Sequence, residues 1–197
     1  MLVKPRGSIQ SFDLPDEFAL VEEVIGGRSG DNWQFIYGPD DSKNVVISFS
    51  YRGFPVVDLR TEPFRRLLEG GDSNIFDRAK PDENAGKIIR SISRVLGDEG
   101  DNQLNNFDTG KFGPVFEVER LDVVSINGKA VLKLNGWYQD EERNPTKRFS
   151  GIYIDGSPAL KNSQVEELHL MTENEELFKT YKPAFENLLN SIKWNQK

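Results

Sequence analysis

Residues 114–139 read PVFEVERLDVVSINGKAVLKLNGWYQ and hold two runs of alternating apolar and polar residues around Asn127 and Gly128. Alternation with a period of two is typical of half-buried β-strands. Asn-Gly between two such runs favours a type I′ turn, because that turn needs positive φ at both central residues. The segment therefore predicts a long antiparallel hairpin. The alternation changes phase near Glu119 and Arg120, which predicts a β-bulge there.

Outside the hairpin, other segments combine alternation with β-branched and aromatic residues, which is also a strand signal. They are residues 18–25, 33–37, 44–51, 148–155 and 164–171. The connectors 26–32 and 38–43 are rich in Gly, Asp and Asn, as turns are, so the first three strands are predicted to form an antiparallel meander. Together these segments predict a sheet of about six or seven strands.

Two helices are predicted in the middle of the chain. Thr61 can cap residues 62–69, and Gly70 follows the last helical position. Residues 82–97 carry an apolar stripe at helical spacing, formed by Ala85, Ile88, Ile89, Ile92, Val95 and Leu96.

A third helix is predicted to start at Thr172, because Thr172 and Glu175 match the T-x-x-E capping box. Its apolar stripe consists of Leu177, Phe178, Tyr181, Phe185, Leu188, Leu189 and Ile192. Pro183 lies within that stripe, and proline removes a backbone donor and clashes with the preceding turn. We therefore expect a kink, or a short helix followed by a longer one. The stripe is as wide as a helix that packs on a sheet; a partner-seeking surface is the alternative.

These elements predict an α+β fold in which an antiparallel sheet of about six or seven strands is covered by helices. We expect residues 1–197 to form a single domain. Residues 1–16, with Pro5, Gly7 and Pro15, are expected to form a loose N-terminal lead-in. Residues 98–111 are polar and without periodicity, and are expected to form a long loop.

Composition excludes several classes of function. The 197 residues include 25 basic and 32 acidic ones, and the net charge of −7 disfavours nonspecific binding to nucleic acid or to an anionic membrane. The absence of cysteine excludes disulfides, thiolate zinc sites and iron–sulfur clusters. The start shows no apolar targeting region, and no window reaches the ~18 apolar residues of a membrane span. We therefore expect a cytoplasmic protein.

No motif predicts catalysis or a cofactor. His169 is the single histidine, and it has no second His or Cys with which to hold a metal, so we expect an ordinary histidine on a sheet face. Residues 25–32 are glycine-rich but join two strands, which favours a hairpin connector over a phosphate loop. Residues 109–111 read TGK but lack the flanking residues of a P-loop.

The acidic residues fall into two groups. The first group lies in the polar loop, where a solvated loop is expected and a weak cation site is the alternative: Asp98, Glu99, Asp101 and Asp108. The second group is expected around the start of the last helix: Glu166, Glu167, Glu173, Glu175 and Glu176. Acid catalysis would need one of these carboxyl groups to be buried with a raised pKa.

Two further sets of residues are candidates for binding. Basic residues lie on the polar sides of the two middle helices, where solvated faces or a site for an acidic partner are the alternatives: Arg60, Arg65, Arg66, Lys87, Arg90 and Arg94. Trp137 and Tyr138 end a hairpin strand, where core packing or an exposed interface are the alternatives.

The closing stretch FENLLNSIKW (185–194), preceded by an acid-rich cap and the strand QVEELHL (164–170), resembles the PsbP-like fold family. This family includes the extrinsic photosystem II subunit and a nuclear Ran-binding protein. The resemblance covers roughly residues 14–194 in the order of elements. It implies an α/β/α sandwich and a non-enzymatic binding or assembly domain. No residues match a photosystem or Ran-binding surface.

The sequence thus predicts a non-catalytic module that binds another protein and uses no cofactor. Two alternatives stay open. One is a small-ligand carrier or an enzyme with a pocket between sheet and helix. The other is an accessory or immunity-type protein that binds a basic partner through its net charge of −7.

Overall fold

The computed structural model describes residues 1–5, 7–26, 32–51, 62–80, 87–88, 91–92, 115–140, 142, 144–156 and 165–195. Its helices and strands are, in chain order, β1 (Leu2–Val3), β2 (Ile9–Asp13), β3 (Ala19–Gly26), β4 (Asn32–Gly38), β5 (Val45–Tyr51), α1 (Glu62–Glu69), β6 (Ser73–Asp77), β7 (Val115–Ile126), β8 (Lys129–Gln139), β9 (Pro145–Asp155), β10 (Val165–Thr172), α2 (Glu175–Ser191) and β11 (Lys193–Trp194).

The strands form two antiparallel sheets, which confirms the predicted α+β class. The larger sheet has eight strands in the order β3-β4-β5-β10-β9-β8-β7-β6, and the smaller has three in the order β1-β2-β11. All seven predicted strands are present in the larger sheet. Its eighth strand, β6, was not predicted, because SNIFD is short and does not alternate.

The central hairpin has the predicted geometry. Asn127 and Gly128 have φ of 47° and 83°, and Ile126 pairs with Lys129 across the turn. The register shifts between Val118 and Arg120, at the predicted bulge. The bulge brings Val118 and Leu121 into the same hydrophobic cluster despite their phase difference.

The larger sheet has a hydrophobic cluster on each face, because neighbouring residues of β9 alternate between clusters. Ile152 belongs to the cluster that contains Phe185 of α2, whereas Tyr153 belongs to the cluster that contains Phe64 of α1. Residues 87–88 and 91–92 are helical, and Ile92 joins the α1 cluster. Helices therefore lie against both faces of the sheet.

The prediction that residues 1–16 form a loose lead-in is wrong. Residues 9–13 form β2, and the side chains of Ile9, Phe12 and Leu14 are buried in the α2 cluster. Strand β2 pairs with β11, next to the last helix, so the two ends of the chain close the same layer. The proline and glycine residues around β2 mark turns, but they do not prevent five residues between them from entering the core.

The start of α2 differs from the predicted capping box. Thr172 is the last residue of β10, and the N-cap is Asn174, whose side chain accepts a hydrogen bond from the backbone N–H of Leu177 at 2.9 Å. The Thr172 hydroxyl donates to the Asn174 carbonyl at 3.0 Å. Helix α2 then runs without interruption to Ser191 and passes through Pro183, so the predicted division into two helices is wrong.

The end of α2 is held by the hairpin turn. The side-chain amide of Asn127 donates to the carbonyl oxygens of Asn190 at 3.0 Å and Ile192 at 2.7 Å. These carbonyl groups lie at the C-terminal end of the helix, where no N–H group of the next helical turn is available to bond to them. Helix α2 packs on the sheet, as its apolar stripe predicted, and buries Phe178, Phe185, Leu188 and Leu189 there.

Several predictions fall outside the described residues. They are the polar loop 98–111, most of the helix predicted over residues 82–97, and the connector residues 27–31. Among the helices that the structure describes, none combines the length and the apolar character that crossing a bilayer requires.

Candidate interaction surface

Strand β3 lies at one end of the eight-stranded sheet and has an open outer edge. It pairs with β4 from Ala19↔Gly38 to Gly26↔Asn32, and no described strand pairs with its other side. An edge strand presents a row of backbone N–H and C=O groups that can pair with another extended chain. β3 spans eight residues, whereas β6 at the opposite end of the sheet spans five, so β3 offers the longer edge.

Two apolar side chains project from this edge into solvent. Leu20 is 50% exposed and Val24 is 38% exposed, and in the described part of the chain only Met1 and Leu2 are large apolar residues with comparable exposure. Paired residues share a face of a sheet. Leu20 pairs with Tyr37 and Val24 pairs with Gln34, so the two side chains lie on opposite faces.

The edge is also acidic. Residues 13–23 contain five carboxylates and no basic residue: Asp13, Asp16, Glu17, Glu22 and Glu23. Glu22 forms an ion pair with Lys43, and Glu23 is exposed. Burial, together with the charge of Glu23, raises the pKa of Tyr37 to about 12. Glu23 pairs with Phe35, two residues from Tyr37 on the same strand, so its carboxylate lies on the face of the sheet that carries the Tyr37 ring.

The start of β3 is anchored in the core. Phe18 is 3% exposed, and its ring meets the ring of Tyr181 edge-on at 5.5 Å between centroids. The Phe18 N–H donates to the Pro15 carbonyl at 3.0 Å, which turns the chain into the strand. A bulge follows between Leu20 and Glu22. The edge is therefore anchored to the core on its inner side, and no described strand pairs with its outer side.

His169 lies on the sheet face that carries the α1 cluster. Its Nδ1 is 2.8 Å from Oε1 of Glu167, and its ring is 5.0 Å from that of Phe149. Ser48 lies directly across from His169 in the ladder, but its hydroxyl accepts a hydrogen bond from Gln34 at 2.9 Å. No described hydrogen bond joins Ser48 to His169. The geometry is that of a histidine paired with a carboxylate, without an activated hydroxyl.

Glu166 and Glu167 do not lie at the helix start, which corrects the prediction for these two residues. Both belong to β10 and are buried, at 1% and 3% exposure, and they point to opposite faces of the sheet. The other three acids of that group, Glu173, Glu175 and Glu176, are exposed around the start of α2, as predicted.

Glu166 meets the condition for acid catalysis, but it is fully engaged as a structural acceptor. Burial raises its pKa, against the opposing effects of hydrogen bonds from Ser8 and the charge of Lys129. The Ser8 N–H lies 2.8 and 3.0 Å from its two oxygens, and the Ser8 hydroxyl donates at 2.5 Å. Gly7 packs directly on the carboxyl group. Glu166 therefore fastens the N-terminal segment to the sheet.

Trp137 is half-buried in a cluster of cations and aromatic rings. The guanidinium groups of Arg78 and Arg148 lie 4.7 and 5.3 Å from its ring, and Arg148 also lies 4.8 Å from the ring of Phe178. Glu117 pairs with Arg78 at 2.7 Å, which neutralises that cation locally. These contacts favour the packing interpretation of Trp137 over an open interface.

The basic residues of the middle helices are only partly described. Arg65 pairs with Asp155 at 3.0 Å, and Arg66 pairs with Glu62 one turn earlier, while Lys87 is exposed. Arg60, Arg90, Arg94 and the loop acids Asp98, Glu99, Asp101 and Asp108 lie outside the described residues. Within the described ranges, no three His, Asp or Glu side chains gather in a metal-binding geometry.

No family model matches the chain, and no curated protein matches it. A solved structure of LpqN from Mycobacterium tuberculosis, described as involved in cell envelope biogenesis, is similar over 100% of this chain and 90% of that one, with 11% identity and a TM-score of 0.38. A likeness at that level carries no argument about fold or function. The PsbP-like resemblance stays a prediction.

The sequence predicted strand β3 but not its place at the end of the sheet. The alternation in residues 18–25 is the weakest of the predicted strands, and the position of a strand in a sheet depends on long-range pairing. The sequence shows Leu20 and Val24 beside Glu22 and Glu23, but their exposure is visible only in the structure.

Proposed function

We propose that this chain is a non-catalytic module that binds another protein by accepting an extended segment along the open edge of β3. The observation that carries the proposal is the eight-residue edge, unpaired on its outer side among the described strands, with Leu20 and Val24 exposed. The PsbP-like resemblance implies the same class of function. A cytoplasmic location and independence of cofactors belong to the proposal.

Strand addition has a physical logic that suits this edge. Backbone hydrogen bonds to the unpaired N–H and C=O groups supply affinity, and contacts with alternate side chains supply specificity. Because β3 is already ordered by β4 and by the buried ring of Phe18, its own ordering adds little to the entropic cost of binding.

The interior between the sheet and α2 favours this proposal over a small-ligand carrier. Phe178, Phe185, Leu188 and Leu189 fill the described seam and are each 2% exposed or less. Together with Ile152 and Leu168 of the sheet they form one contiguous cluster. A seam packed in this way supports a structural role for α2 and leaves binding to the outside of the molecule.

The proposal is tested by affinity capture from the soluble lysate of the native host. The bait is compared with a double variant, Leu20→Ser with Val24→Ser, which removes the exposed apolar side chains of the edge. Leu2→Ser is the matched control, because Leu2 is 56% exposed but lies in β1 of the smaller sheet. Circular dichroism checks that all three proteins are folded.

We expect a stoichiometric protein that is retained by the unchanged chain and by Leu2→Ser, and that is lost with the double variant. Equal retention by the double variant would place binding elsewhere and contradict the proposal. The absence of any captured protein on all three baits would also contradict it.

A further inference from the structure

We propose that the segment accepted by β3 is basic: two adjacent cationic residues flanked by apolar residues, in an extended conformation. This inference rests on the proposed function and names the chemistry of the partner. It follows from the order of side chains along β3 and from the charge around the edge.

On each face of β3, one of the two exposed apolar side chains, Leu20 or Val24, shares the face with one carboxylate. Leu20 and Glu23 pair with Tyr37 and Phe35, which both contact the α2 cluster, so Leu20 and Glu23 share that face. Val24 and Glu22 share the other face, because side chains alternate along the strand. An antiparallel segment then meets, in order, Val24, Glu23, Glu22 and Leu20. The complementary order is apolar, cationic, cationic and, beyond the bulge at residue 21, apolar.

The acidic field around the edge favours the same partner. Residues 13–23 carry five carboxylates without a basic residue, and the whole chain has a net charge of −7. Lys43 forms an ion pair with Glu22, and the N-terminal ammonium group forms one with Asp16, whereas Asp13, Glu17 and Glu23 are exposed. A basic segment is attracted to this edge, and an acidic one is repelled by it.

A second copy of the chain is the occupant that the edge disfavours. Two β3 strands could pair antiparallel about a two-fold axis at the middle of the strand. Glu22 of one copy would then lie opposite Glu23 of the other, or Glu22 or Glu23 would lie opposite the same residue of the other copy. Like charges directly opposite each other destabilise a pair of strands. Charged residues and a bulge are also the devices that protect edge strands from pairing with themselves.

The test uses two fluorescent synthetic peptides that differ only in charge. One carries two adjacent lysines flanked by valines, and the other carries glutamates in place of the lysines. Binding is measured by fluorescence anisotropy with the unchanged chain and with Glu23→Lys. Glu173→Lys is the matched control, because Glu173 is exposed, lies outside β3 and changes the net charge equally.

We expect the lysine peptide to bind the unchanged chain and Glu173→Lys with similar affinity. Glu23→Lys should weaken its binding by about three- to tenfold, since the substitution exchanges an attractive cross-strand pair for a repulsive one. The same variant should strengthen binding of the glutamate peptide. Binding of the lysine peptide should also weaken as salt is raised.

Three results would overturn the inference. Equal binding of both peptides to the unchanged chain would refute the basic partner while leaving capture through Leu20 and Val24 intact. Equal weakening by Glu23→Lys and Glu173→Lys would show a general charge effect without docking on β3. Sedimentation that shows a dimer of the unchanged chain, dissociated by Leu20→Ser with Val24→Ser, would identify a second copy as the occupant.

Discussion

Replacement of Gly7 by alanine should destabilise the protein far more than the same replacement at two other glycines. Gly7 has a φ of 91°, and a Cβ there would lie 2.3 Å from Oε1 and 2.6 Å from Cδ of Glu166. The carboxyl group of Glu166 would have to move away from the hydrogen bonds that Ser8 donates to it. Because Glu166 is 1% exposed, water cannot replace those bonds.

The magnitude follows from two costs. A left-handed backbone conformation costs an alanine about 1–2 kcal/mol relative to glycine. The loss of hydrogen bonds to a buried charged acceptor costs about 1.5–3 kcal/mol. We therefore expect Gly7→Ala to lower the free energy of unfolding by about 3–5 kcal/mol, measured by urea denaturation.

Gly71→Ala and Gly128→Ala are the matched controls. Both glycines have positive φ, at 74° and 83°, but a Cβ at either position would have nothing within 4 Å. These variants should show the backbone cost alone, about 1–2 kcal/mol. A Gly7→Ala variant as stable as the two controls would refute the claim that the N-terminal segment is fastened to Glu166.

Three further predictions concern α2 and the buried carboxylate. Pro183→Ala should raise the free energy of unfolding, measured by urea denaturation, by about 2 kcal/mol. Pro183 is exposed inside a helix, and alanine restores the missing backbone donor. Unchanged or lower stability would contradict this prediction. Asn174→Ala removes the N-cap of α2, so it should lower the free energy of unfolding by about 1 kcal/mol and speed amide hydrogen exchange in the first turn of the helix. Glu173→Ala, at the neighbouring position, should lower the free energy of unfolding by less than about 0.5 kcal/mol. Glu166→Gln should remove part of the pH dependence of stability. Burial raises the pKa of Glu166 in the folded state, so the folded chain binds more protons than the unfolded chain at pH values between the two pKa values. The stability of the unchanged protein should therefore fall as the pH rises through that range. Parallel pH profiles for the two proteins in thermal denaturation would show that Glu166 does not contribute.

Local patterns predicted the elements whose determinants lie close together in sequence. The Asn127-Gly128 turn and the bulge after Val118 could be located from alternation and turn chemistry alone. The width of the apolar stripe in α2 correctly indicated a helix packed on a sheet. These features depend on neighbours within a few residues, which a single sequence displays.

Features that depend on distant partners could not be predicted. Glu166 looks like a solvent-exposed acid in the sequence, yet it is buried because Ser8, 158 residues away, supplies its donors. The burial of residues 9–13 likewise depends on pairing with β11 at the far end of the chain. The place of β3 at the sheet edge is of the same kind, since it is set by β5 pairing with β10 rather than by any signal within β3.

Pro183 shows why a strong local rule can fail. Proline is disfavoured inside helices, but here its ring faces solvent and the helix is held at both ends. Asn174 caps the start of the helix, and Asn127 binds carbonyl groups at its end. Phe178 and Phe185, which precede and follow Pro183 in sequence, are buried in the core. Tertiary packing outweighs the local penalty.

Hydrogen–deuterium exchange on the complex with the captured protein would show whether the edge of β3 is the binding site. The amides of β3 (residues 19–26) that do not pair with β4 should exchange with solvent in the free chain and should become protected when a partner strand pairs with them. Protection confined to β3 and its immediate neighbours is the predicted result. Unchanged exchange in β3, with protection around Trp137 or any other surface, would contradict the proposal that this edge is the binding site.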